Sequence, residues 1–273
     1  MIIKKSPQEI EKMAQSGLIL AATLDEMERN IRPGISTGEL DKLAERLIRS
    51  RDAIPTFKGY RGFPGSICAS PNAMVVHGIP GAYKLKPGDS ISIDVGVTLD
   101  GWVADAARTF VVGEVAADVS RLLATTEESL HAGVAQCKDG NRIGDVSSAI
   151  QRVVEKAGFS VVRSLVGHGV GRSMHEDPQV PNYGKPGKGP QLQEGMVLAI
   201  EPMTTVGRAG VRVGGDGWAI YSQDGSAAAH FEFTVAITSA GPRILTPWHL
   251  PADARASRPV PAEPVAEGIA SAS

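Results

Sequence analysis

The chain has 273 residues, 42% of them apolar, and a formal net charge of -2. Such a length supports a substantial core, and the near-neutral charge excludes a polyelectrolyte that holds nucleic acid or anionic lipid through its overall field. Cys68 and Cys137 are too few for a disulfide framework, no apolar run reaches the ~20 residues that span a bilayer, and no leader is expected before the first helix, all of which predicts a reducing cytoplasm.

Ser6-Pro7-Gln8-Glu9 opens the first helix. Ser6 caps it, Pro7 suits the first helical position and Glu9 returns a bond to Ser6. The helix is expected to run to about residue 30, where Arg32-Pro33-Gly34 stops it. Ser36-Thr37-Gly38-Glu39 repeats the capping pattern before an amphipathic stretch at 40–48. Residues 52–90 are rich in Gly and Pro, which predicts structured loops with short strands near 66–69 and 74–76. A hairpin follows, with strands at 90–98 and 102–112 joined by Leu99-Asp100-Gly101. Helices are expected at 118–135 and 142–157, the second closed by Gly158. Strands then return at 160–165, 196–203, 217–222 and 231–238. Two helices followed by strands, given twice, points to two related halves. After Trp248 the composition turns to Pro, Ala, Ser and Glu. Residues 250–273 therefore read as a disordered tail beside a single catalytic domain at 1–249.

The hairpin carries the first chemistry. A two-residue turn at Asp100-Gly101 pairs Leu99 with Trp102 and Asp94 with Ala107, which puts Asp105 diagonal to Asp94 on the same face. Diagonal residues lie about 7–8 Å apart, close enough for two carboxylates to share a metal site. The surrounding Ile91-Ser92-Ile93-Asp94-Val95 is apolar, so a buried carboxylate there needs a cation; two surface acids on an exposed edge hairpin fit the same pattern.

In Gly167-His168-Gly169-Val170-Gly171 the glycines predict a sharp turn that brings an imidazole against another group. A phosphate-cradling loop is the rival, but the Lys-Ser/Thr pair and a strand-to-helix context are missing. His175 can face the same cavity. Glu201 ends the apolar run 196–200 before Pro202, and Glu232 interrupts another apolar run. Either alone fits a surface rim. Converging, four carboxylates and one imidazole carry four negative charges, which two divalent cations balance. A donor set dominated by oxygen favours Mn, Fe or Co and tolerates Zn. Two such ions activate water and polarise a carbonyl, which is the chemistry of amide hydrolysis.

The motifs Pro33-Gly34-Ile35-Ser36-Thr37-Gly38-Glu39-Leu40, Val76-His77-Gly78-Ile79-Pro80, Ile93-Asp94-Val95, His168-Gly169-Val170-Gly171-Arg172, His175-Glu176-Asp177-Pro178, Ile200-Glu201-Pro202-Met203 and Phe231-Glu232 resemble those of the type I methionine aminopeptidases. The resemblance runs from about residue 6 to 246 and is to the short bacterial-like form without an N-terminal extension. It implies an α/β (α+β) pita-bread fold whose halves are related by a pseudo-twofold axis, with the metals between them. It implies that Asp105 and Glu232 bridge two metals, that Asp94 binds one, and that His168 and Glu201 complete the other. Glu201 would also relay a proton from the nucleophile, a hydroxide bridging the metals. His77 and His175 would contact the substrate near the scissile amide and the oxygens of the tetrahedral intermediate. Tyr60, Phe63, Cys68 and Trp218 would line the methionine pocket, an apolar and polarisable wall suited to a thioether.

The implied activity is removal of the initiator methionine from nascent proteins whose second residue is small. Nascent N-termini, including those still on the ribosome, are the expected partners; no specific nucleic acid or membrane is expected, and the chain is expected to be a monomer. Two positions depart from the family pattern. Met174 stands where an aromatic is common, and Phe233 where a polar residue is common, so pocket shape and metal preference are not to be copied from relatives. His230, on the same face as Glu232, is a candidate partner for it. The rivals are an Xaa-Pro peptidase, a class whose chains carry a further N-terminal domain, and a non-catalytic pita-bread binding module, against which the five acid or histidine positions speak.

Overall fold

A computed structural model describes residues 1–255; most of the expected tail, 256–273, lies outside the described residues. Both capping boxes form. The Ser6 hydroxyl accepts the Glu9 N–H at 3.3 Å while Glu9 accepts the Ser6 N–H at 2.9 Å, which starts α1 (Pro7–Asn30). Ser36 and Glu39 make the same exchange at the head of α2 (Thr37–Arg49). Gly17 lets α1 approach Leu245 so closely that a Cβ there would lie 1.9 Å from a carbonyl oxygen.

The chain continues through β1 (Ile54–Pro55), β2 (Ile67–Pro71) and β3 (Met74–Val76) to the hairpin β4 (Ser90–Leu99) and β5 (Trp102–Val111). Asp100 and Gly101 have φ of 50° and 75°, so both central residues of the turn are left-handed, the conformation that matches strand twist. Helices α3 (Ala117–Val134) and α4 (Ile143–Lys156) pack on each other. Gly158 ends the second helix with φ 86°. Then come β6 (Ser160–Val161), β7 (Val166–Gly169), β8 (Glu176–Pro181), β9 (Val197–Ile200), β10 (Met203–Thr205), β11 (Val211–Val213), β12 (Ile220–Ser222), β13 (Ala228–His230), β14 (Phe233–Thr238) and β15 (Gly241–Ile244), closed by one helical turn, α5 (Ala252–Arg255).

All ladders are antiparallel. One sheet centres on β4, flanked by β5 on one edge and by β1 and β2 on the other; a second runs β15-β14-β9-β7-β8. Two three-stranded sheets, β13-β10-β6 and β11-β12-β3, complete the set. α1 packs across β4 and β5, and α4 packs on β6 and β8. Helix pair and sheet thus occur twice, as the doubled sequence pattern predicts. The largest core cluster includes Leu20 and Leu24 of α1, Ile91, Ile93 and Val95 of β4, and Phe233 and Val235 of β14.

Several expected boundaries are corrected. The strand expected at 160–165 covers only Ser160–Val161. His168 sits inside β7 rather than on a turn. Its flanking glycines serve close strand approach: a Cβ on Gly167 would lie 2.4 Å from the Ala199 carbonyl oxygen, and one on Gly169 2.2 Å from that of Asp177. The expected strand 196–203 is broken into β9 and β10, and the one expected at 231–238 starts only at Phe233, separated by two residues from a β13 that the sequence pattern does not mark. Beyond residue 249 the described chain is held to α1, where the Arg255 guanidinium grips Asp25 at 2.6 and 2.8 Å and donates to the carbonyls of Pro247, Trp248 and Leu250.

Candidate metal centre and active site

The hairpin has the register expected of it: Asp94 pairs with Ala107 and Gly96 with Asp105, so the two acids are diagonal neighbours. Thr234 of β14 fixes the second of them from another sheet. Its hydroxyl accepts the Asp105 N–H at 3.0 Å and donates to the Asp105 carbonyl at 2.7 Å.

Glu201 and Glu232 lie in the two strand breaks, which face each other. Ile200 pairs with Phe233 and Met203 with His230, leaving Glu201-Pro202 opposite Phe231-Glu232 with a single long backbone bond between them, from the Phe231 N–H to the Pro202 carbonyl at 3.4 Å. Pro202 has no N–H to continue a ladder, which accounts for the break on its side. The freed backbone is satisfied elsewhere: Asn182 donates to the Glu201 carbonyl, the Glu232 N–H donates to Ala107, and the Trp248 indole donates to the Glu232 carbonyl, each at 2.9 Å.

These elements bring all five expected ligands around one cavity. Asp105, His168 and Glu232 each place a ligand atom within 4.8 Å of the others. His168 Nε2 is 3.7 Å from Asp105 and 3.5 Å from Glu201. Its Nδ1 lies 2.9 Å from the Gly169 carbonyl, a contact that places the proton on Nδ1 and leaves Nε2 a free lone pair. Burial raises the proton affinity of every acid in the group, taking Asp94 to about 7 and Glu201 to about 8 and Asp105 and Glu232 well above the ordinary range. Burial also lowers His168 to about 4.

Crowded buried carboxylates with no cation are costly. Asp94 Oδ1, Asp105 Oδ1 and Glu232 Oε1 are buried without a hydrogen-bond partner, so acceptors are left over where a cation would take them. The donor set and these orphaned oxygens fit divalent metal.

The sequence marks His230 only as a partner to Glu232, and the structure gives it more. Its ring is buried, with Nε2 3.5 Å from Glu201 and 3.9 Å from Glu232, so it faces both acids of the broken strands. Thr234 is not distinguished in the sequence at all; its signal, one threonine two residues after Glu232, has no meaning until the sheets are assembled. Phe233 turns away from the cavity and stacks on Trp248 at 4.6 Å between centroids, so this departure from the family pattern leaves the cavity wall untouched.

The cavity holds roughly 310 Å³. Phe63 and Trp218 meet edge to face at 5.2 Å, and Tyr60, Cys68 and Met174 share the lining. Burial pushes the Cys68 thiol up, so it serves as an apolar wall and not as a nucleophile. His77 has φ 60° and is driven to about 4 by burial, hence neutral near pH 7. His175 sits at the mouth: its Nδ1 is 2.9 Å from the Tyr60 hydroxyl and its ring lies 4.2 Å from that of His168. All residues expected at the site line this cavity. No helix among the described residues is long and apolar enough to cross a membrane.

Comparison with known proteins agrees with this geometry. Residues 11–239 match the model of metallopeptidase family M24. Methionine aminopeptidase 1 of Bacillus subtilis is 53% identical over 90% of this chain and 99% of that protein. The crystal structure of methionine aminopeptidase from Rickettsia prowazekii, 40% identical, superposes with a TM-score of 0.89 over 90% of this chain and 100% of that one. An Xaa-Pro dipeptidase from Bacillus anthracis, at 21% identity, shares the fold with a TM-score of 0.72 and is covered over 62% of its length. With the pita-bread fold, the buried acid cluster and these likenesses together, the chain belongs to metallopeptidase family M24 and, within it, to the methionine aminopeptidases.

Proposed function

We propose that this chain is a metal-dependent aminopeptidase that removes methionine from the N-termini of nascent proteins whose second residue is small. The observation that carries the proposal is the contact between two unlike surfaces: a floor of buried carboxylates with unpartnered oxygens, and a small apolar pocket with a thiol and aromatic rings in its wall. Asp94, Asp105, His168, Glu201 and Glu232 would hold two divalent ions, of Co, Mn, Fe or Zn. When bound, the ions lower the pKa of water and polarise a carbonyl.

The remaining work falls to the chain itself. Phe63, Cys68, Trp218 and Met174 enclose an unbranched thioether side chain and exclude water from it. His77, neutral and half-buried, holds the scissile amide by a hydrogen bond without adding charge. With the Tyr60 hydroxyl donating to His175 Nδ1, the Nε2–H of His175 is left to donate to the oxyanion as it develops. Glu201 accepts the proton of the attacking water and delivers it to the departing amine. His230, 3.5 Å from the Glu201 carboxylate, holds that side chain in place.

Hydrolysis of Met-Ala-Ser, Met-Leu and Xaa-Pro peptides before and after chelation tests the reading. Metal-dependent release of methionine from the first peptide alone supports it, and Xaa-Pro cleavage overturns it. Calorimetric titration of chelated protein with Mn or Co tests the metal count, with two equivalents expected per chain.

A further inference from the structure

One buried ion pair lies outside the reaction as described. Lys5 Nζ meets Glu176 at 2.6 Å with the two side chains only 2% and 6% exposed. Lys5 precedes α1, and Glu176 is the first residue of β8 and follows His175 directly. Isolated buried pairs seldom add net stability, and in some proteins they serve instead to fix an arrangement.

The surroundings show what is arranged. The Lys5 N–H donates to Gly195 at 2.7 Å, and its ammonium also donates to the Ile3 carbonyl at 3.1 Å, so the segment before α1 is held at both backbone and side chain. The other Glu176 oxygen accepts the Ser173 N–H at 3.3 Å, and the Gly171 carbonyl accepts the Val103 N–H at 2.9 Å. Residues 171–176 therefore form a short arch pinned to the metal-bearing hairpin at one end and to Lys5 at the other. The fit is tight: a Cβ on Gly171 would lie 2.5 Å from Lys5 Cε and 2.6 Å from Glu176 Oε1. His175 is on the arch, exposed at the cavity mouth, where it meets the hydroxyl and stacked ring of Tyr60 and the tilted ring of His168.

We propose that the Lys5–Glu176 pair is a positioning device for His175, so that the segment before the first helix sets the rate of a reaction whose substrate it never touches. The proposal rests on the role given to His175 above. A displacement of about 1 Å in a group that acts on the transition state costs on the order of 10²-fold in rate. Substrate held by the apolar pocket is bound elsewhere, so the cost falls on kcat and not on KM.

The test uses the full chain as K5M and as K5M/E176M, which replaces the pair by apolar side chains of similar length and leaves no buried charge unpaired. Each is also combined with H175A, and melting temperature and metal stoichiometry are measured beside the rates. The expected result is that K5M/E176M melts within a few degrees of the parent and binds metal equally, yet loses about 10- to 100-fold in kcat with KM within about twofold. In the H175A background the same substitutions slow the reaction no further. A parental kcat in K5M/E176M, or an equal loss in the H175A background, overturns the proposal and leaves the His175 reading standing. A parental kcat in H175A alone overturns the His175 reading, and the proposal with it.

Discussion

The candidate metal site is assembled from two kinds of structure. Asp94 and Asp105 come from one hairpin, where a tight turn sets the register and ten residue pairs repeat it. Glu201 and Glu232 come from two strands that stop where they would be expected to continue, so that their carboxylates leave the ladder and enter the cavity. The hairpin acids are placed by local pairing; the acids of the breaks are placed by what surrounds them, Asn182, Ala107, Trp248 and His230. Substitutions at the first pair should thus act through charge alone, while those at the second should also report how the sheets are held together.

The largest effect is expected at the hairpin acid that β14 clamps. Asp105→Asn keeps the hairpin and its Thr234 clamp but removes a charge, and with it several kcal/mol of charge stabilisation. Activity should fall on the order of 10³-fold with the melting temperature of chelated protein unchanged or raised. Peptide hydrolysis and calorimetry check this, and a lowered melting temperature without metal would show that the carboxylate is not a burden on the fold.

Thr234→Val tests the joint between the two regions. It leaves the Asp105 N–H and carbonyl without their partner, and should cost about 1–3 kcal/mol in denaturant unfolding and about 10- to 100-fold in metal affinity. A loss of stability with unaltered affinity would separate the clamp from the site.

Acidity probes the whole cluster. Burial raises Asp94 to about 7 and Glu201 to about 8 in the fold, above the unfolded values near 4. Between those limits the metal-free fold keeps protons that the unfolded chain has released, so its stability is greatest on the acid side and falls as pH rises through that window. Metal-saturated protein, whose carboxylates are charged and paired, should not show this loss. Melting curves of chelated and saturated protein from about pH 5 to 8 should therefore diverge, and parallel curves would count against the cluster as the source.

The smallest effect is expected at the hairpin turn. Gly101→Ala forces a side chain into φ 75° and should cost about 1–2 kcal/mol of stability with little change in kcat, since ten residue pairs still hold the register. A large fall in kcat would mean that the hairpin acids are placed less locally than its register implies.

Part of this architecture is legible in the order of residues alone. Two capping boxes, the hairpin and its diagonal acids, and the helix end at Gly158 depend on interactions within about ten residues, so composition and spacing suffice to read them. The turn expected at His168 does not form, because glycine serves close approach as well as left-handed turns, and only the Ala199 and Asp177 carbonyls pressed against Gly167 and Gly169 show which applies. The break between β9 and β10 reads as continuous strand because an apolar run has the same appearance whether or not its ladder is interrupted.

By itself, then, the sequence determined the helices, the hairpin and, through its motifs, the choice of five candidate ligands, because each is set by neighbours along the chain or by residue type. The tertiary structure decided the meeting of Glu201 with Glu232, the turning of His230 toward both, the clamp of Thr234 on Asp105 across 129 residues of chain, and the pairing of Lys5 with Glu176 across 171. Those contacts exist only once the sheets have closed on one another, and it is closure that removes water from the carboxylates and makes a cation the natural way to hold them together.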